Sequence, residues 1–300
     1  MDSLVTPLID IKTAEGLLHL IVPQWQELLE DIEAQGGRFA FRPELAKTFS
    51  NLKIGNYPRL YENEVTIGVA LGLAFLGRDG LKSYDEQLRR ATPVERGQMV
   101  QELSTGLDEL KDAFDFDKTP EQLEQARAAF EALTADERTA STEFMQWLLM
   151  GTFALFFQYL SIMVHGEKLT ALVAQAKAGD DKAFLKAIQI DKAILSEIEY
   201  FKSRHVRAHM EDERAFITAV ARKQEAPPYA GKLTHKKLWL SFAWLDSTGL
   251  LDSYTGNQLL DLCTEVGVID DTAPIEDVKN LLKLKSRYRA FQKRGGKSTP

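Results

Sequence analysis

The 300-residue chain is 44% apolar, 27% charged and 9% aromatic, a composition that excludes collagen-like, disulfide-rich and wholly disordered classes. Its net charge of -7 is unevenly spread: residues 1–278 hold 29 bases against 44 acids, or -15, whereas residues 279–300 hold eight bases and no acid, or +8. The single cysteine, Cys263, excludes an intramolecular disulfide and a zinc–thiolate cage. An acidic N-terminus without a sustained apolar run behind it adds to the expectation of a cytoplasmic protein.

In chain order, hydrophobic periodicity predicts helices over about 14–34, 62–77, 93–112, 120–132, 135–177, 181–202, 204–224, 235–247, 256–265 and 274–293. Extended pieces are confined to 4–11 and 38–41. Four starts carry a capping-box pattern, in which a Thr side chain and a Glu or Gln three residues on satisfy each other's backbone donors: Thr92 with Glu95, Thr119 with Gln122, Thr134 with Glu137, and Thr255 with Gln258. Pro93 and Pro120 occupy first helical positions, where a missing N–H costs nothing.

Residues 144–166 form an uncharged run of 23 residues, long enough to cross a bilayer. Gln146, Gln158, Ser161 and His165 interrupt its apolar character. A membrane-associated protein inserting this run is therefore weighed against a helix buried in a soluble core, and the core is expected. The same reading allows two helices meeting near Gly166. Pro227, Pro228 and Gly231 break the chain and divide a helical body, 1–225, from a C-terminal module, 232–294, with a frayed tail at 295–300. The fold class expected is mainly α, with a multi-helix body and a small C-terminal three-helix module.

Two stretches offer chemistry. Arg204 and His209 are separated by four residues, with His205 directly after the arginine. This order resembles the Arg-polar-x-x-x-His motif of HEPN-type ribonucleases. The resemblance covers six residues and implies a metal-independent enzyme in which His209 is the general acid/base, Arg204 stabilises the phosphorane charge and His205 orients the site. Five residues on a straight helix subtend about 140°, so a helix break or an opposed second copy is required. The alternatives for the same stretch are a solvated face of mixed charge, or metal ligation by His205 and His209 at i,i+4 with Asp212 following. No dinucleotide, phosphate-loop or calcium-loop fingerprint holds on inspection, and neither cofactor nor metal is expected.

The second stretch is the basic C-terminal helix. Leu281, Leu284, Tyr288 and Phe291 recur at steps of three and four and predict a buried stripe. Lys279, Lys283, Lys285, Arg287, Arg289, Lys293 and Arg294 surround it, with Tyr288 or Arg287 available to stack on a base. Docking on the acidic stretch 239–278 competes with contact to an outside partner. The function expected is a non-catalytic interaction protein whose residues 279–294 meet an acidic protein surface or nucleic acid; the ribonuclease and the membrane-associated protein are the alternatives.

Overall fold

The structure is a computed structural model that describes residues 54–62, 87, 90–92, 94, 95, 98, 119–229, 235–247, 249–269, 275 and 277–295. The fold is mainly α, with no strand among the described residues. The predicted helix 14–34, nearly all of 62–77 and of 93–112, and the extended pieces 4–11 and 38–41 lie outside them.

A 3-10 helix, Ile54–Glu62, precedes helices α1 (Pro120–Ala132) and α2 (Ala135–His165). Then come α3 (Leu169–Lys177), α4 (Asp181–Ile190), α5 (Ile194–Glu197), α6 (Glu199–Met210) and α7 (Arg214–Glu225). The chain ends in α8 (Lys236–Ser247), α9 (Gly256–Glu265) and α10 (Val278–Lys293).

The capping boxes form as the sequence requires. Thr119, Thr134 and Thr255 each accept from the N3 amide while the N3 side chain accepts from the cap. Thr92 and Glu95 bond in the same reciprocal way, at 2.7 Å from Thr92 N–H to the carboxylate. Such a cap contributes about 1 kcal/mol per helix.

Gly166, at φ 69°, takes the left-handed conformation that stops α2. The predicted 135–177 helix is therefore two helices. The expected junction between 202 and 204 is absent, because α6 runs unbroken through it. The breaks fall instead at Asp191, at the extended Ile198 between α5 and α6, and at Asp212, a non-glycine residue with φ 54°. Asp191 accepts Tyr61 O–H at 3.0 Å and the Ala193 N–H at 3.0 Å, so a contact 130 residues away holds that turn.

Helix α2 is the axis of the core. The 3-10 helix, α3, α4, α8 and α10 all pack against it, and Phe156, Leu160, Met163 and Val164 are fully buried. It is long and apolar enough to cross a membrane, yet 88% of its apolar window is buried by protein. Two polar groups within that run, Gln158 and Ser161, find protein partners. Gln158 donates to Thr170 Oγ1 and accepts the Thr170 N–H, both at 3.1 Å. Ser161 donates to the Glu167 carbonyl at 2.8 Å. This is the arrangement of a core helix, since a lone span would leave those groups unsatisfied.

Candidate functional site

Helix α10 begins where the Asp277 carboxylate accepts the Asn280 N–H at 2.6 Å. Its apolar face is the predicted one. Leu281, Leu284, Tyr288 and Phe291 are buried, against Trp239 and Phe242 among others. Gln292, also buried, donates to the Ile162 carbonyl of α2 at 2.8 Å and so ties the last helix to the central one.

The eight proposed contact residues separate into two sets. Lys285 donates to the Leu251 carbonyl at 2.8 Å and pairs with Asp252 at 2.7 Å. Arg289 pairs with Asp246 at 2.5 Å and with Asp252 at 3.2 Å. The hydrogen bond from Lys285, followed by the charges of Lys285 and Arg289, holds the Asp252 carboxyl below its usual range. Tyr288 is fully buried, and its hydroxyl donates to Asp246 at 3.4 Å while accepting from Gln292 at 2.6 Å. It cannot stack on a base, because the periodicity that made it a candidate also places it on the packed face.

The second set is solvent-facing. Lys279, Lys283, Arg287 and Lys293 are exposed and make no ion pair among the described residues, and Arg294 is exposed as well. Lys279, Lys283 and Arg287 recur every fourth residue along one edge, with Leu282, 46% exposed, beside them. Three positive charges thus span about 12 Å of helix. Asp246 and Asp252 supply counter-charge to the flank of the helix, and among the described residues no acid pairs with this edge.

Arg204 and His209 lie on α6 with no break between them, and their surroundings differ. Arg204 makes two bidentate pairs, to Asp181 at 3.0 and 3.3 Å and to Glu213 at 2.8 and 3.0 Å. Its Cζ sits 4.1 Å from the Phe216 ring centroid, and only 14% of its side chain is exposed. Hydrogen bonding to Glu213 raises the guanidinium pKa further, and that same contact lowers the Glu213 pKa. A cation so committed ties α4, α6 and the start of α7 together. Arg204→Ala is accordingly expected to lower unfolding free energy by about 1–3 kcal/mol in a urea titration. An unchanged midpoint would return Arg204 to the pool of free cations.

His205 and His209 approach each other instead, with Nε2 atoms 3.3 Å apart. Burial, and then the neighbouring His209, lower the His205 pKa. Asp212, the spaced third candidate for a metal, has its carboxylate on Arg214 Nε at 3.1 Å. Cys263 is buried, and burial pushes its thiol up to about 12, so it is no nucleophile.

His165, which the sequence offers as a helix-face or satisfied interior histidine, is interior but not satisfied. It is buried at the end of α2, beside Gly295, and no hydrogen bond to either ring nitrogen meets ordinary geometric limits. Burial, then the charges of Lys186 and Lys223, lower its pKa to about 3. The only signal in the sequence was a histidine closing an apolar helix. No family model matches the chain, and no similar curated protein or solved structure was found.

Proposed function

We propose that the chain is a non-catalytic helical interaction protein whose α10 presents Lys279, Lys283 and Arg287 to an acidic protein surface. The observation that carries this reading is an open basic edge on a helix whose other faces are fixed by the core, Asp246 and Asp252. Charges already paired inside the protein contribute nothing to a partner; unpaired ones on a rigid helix attract it and lose little freedom on contact. Two features favour protein over nucleic acid. Leu282 beside the bases supplies an apolar contact suited to a protein interface. The remaining -15 of the chain opposes a long polyanion, whereas a short acidic patch meets only the local edge. A cytoplasmic setting accords with this reading and with a single buried thiol.

The test is fluorescence anisotropy of the full chain with a labelled acidic peptide and, separately, a labelled single-stranded RNA. Reversing Lys279, Lys283 and Arg287 together to Glu is expected to weaken peptide binding by about tenfold or more, and added salt should weaken it likewise. Equal binding by the reversed chain would sink the proposal. Stronger binding to RNA than to peptide at matched salt would transfer the edge to nucleic acid.

A further inference from the structure

Helix α6 carries His205 and His209 one turn apart, which places both imidazoles on the same strip of its surface. Their ring centroids are 4.7 Å apart, their planes cross at 86°, and their Nε2 atoms are separated by 3.3 Å. Two nitrogens bound to one tetrahedral zinc at its usual Zn–N length stand about 3.3 Å from each other. The unbranched run of α6 thus sets the two donor atoms at the bite of a chelate.

The surroundings select which atoms are offered. His205 Nδ1 is buried without a hydrogen-bond partner, so Nε2 is the nitrogen His205 turns outward. His209 is exposed, which opens the pair to a hydrated ion. In the metal-free neutral pair one Nε2–H bridges to the other Nε2; a bound dication takes a lone pair from each Nε2 once the donor ring has moved its proton to Nδ1, so both imidazoles stay neutral and no net proton is released. Neither Asp212, held by Arg214, nor Arg204, held by Asp181 and Glu213, competes for the position.

We infer that His205 and His209 form a two-imidazole site for a borderline transition-metal dication such as zinc or nickel, with water in the remaining positions. Among the described residues no group of three or more His, Cys, Asp or Glu side chains is arranged to hold a metal, so the site binds reversibly and is no structural zinc cage. Imidazole donors exclude magnesium and calcium, which require oxygen. The inference is independent of the basic edge on α10.

The experiment is isothermal titration of the metal-stripped full chain with zinc chloride, with magnesium chloride as the hard-cation control. One zinc per chain is expected, with no heat from magnesium. His205→Gln and His209→Gln should each weaken zinc binding by about tenfold or more, while far-UV circular dichroism stays helical. In the native chain, zinc should shift the Cε1–H resonances of these two histidines ahead of the other three. A helical double variant that keeps native zinc affinity, or a native chain that takes up no zinc, overturns the inference.

Discussion

Phe156→Ala is expected to lower the unfolding free energy by about 3–5 kcal/mol, read as a fall in the urea midpoint at unchanged slope. Phe156 is fully buried in the middle of α2, with its ring centroid 5.3 Å from that of Phe157. Truncation removes the apolar transfer energy of a ring and leaves a cavity that the surrounding helices cannot close, because α2 is held from several sides at once. A helix facing lipid would respond differently: its truncation would leave the water-facing fold untouched. A loss below about 1 kcal/mol would therefore remove α2 from the centre of the core.

The second large effect is a pH dependence that two buried groups conceal from each other. His165 has a folded pKa of about 3, so between that value and its ordinary 6.5 the unfolded chain binds the extra proton. Its contribution to stability is complete above pH 6.5 and is lost as pH falls. Asp191 is the reverse. Burial raises its pKa to about 6, against the opposing bonds from Ala193, Tyr61 and Tyr57, so between 3.8 and about 6 the folded chain binds the proton and gains stability as pH falls. Each slope is about 1.4 kcal/mol per pH unit, of opposite sign. Between pH 6 and 4.5 the native chain should change little from these two groups. Asp191→Asn should lose about 2 kcal/mol over that interval, and His165→Leu should gain about as much. Chemical denaturation of the three proteins at several pH values measures this. Parallel profiles would show that His165 and Asp191 do not titrate in this order.

The fold was legible where its causes are local. A capping box is complete within four residues, so the starts of α1, α2 and α9 follow from Thr119, Thr134 and Thr255 alone. Gly166 ends α2 for an equally local reason. The turn at Asp191 was not legible, because it depends on Tyr61 arriving from the 3-10 helix. Nor was the uninterrupted α6: its run of mixed charge looks like a boundary until Asp181 and Glu213 are seen gathering Arg204.

The candidate surface shows the same division. Periodicity placed Leu281, Leu284, Tyr288 and Phe291 inward and left the bases around them. It could not tell Lys285 and Arg289 from Lys283 and Arg287, since the distinction lies in where Asp246 and Asp252 are carried by α8 and the loop after it. Likewise, i,i+4 spacing put His205 and His209 on one face, while the 3.3 Å separation of their nitrogens needed side-chain positions.

The bond from Gln292 to the Ile162 carbonyl limits how the C-terminus can be dissected. Deleting residues 279–300 is the direct way to remove the basic edge. It would also strip a partner from the last turn of α2 and uncover Trp239 and Phe242, which α10 covers. A shortened chain that fails to bind would then report a damaged core. Only surface reversals at Lys279, Lys283 and Arg287, which leave the underside of α10 seated, separate recognition from folding.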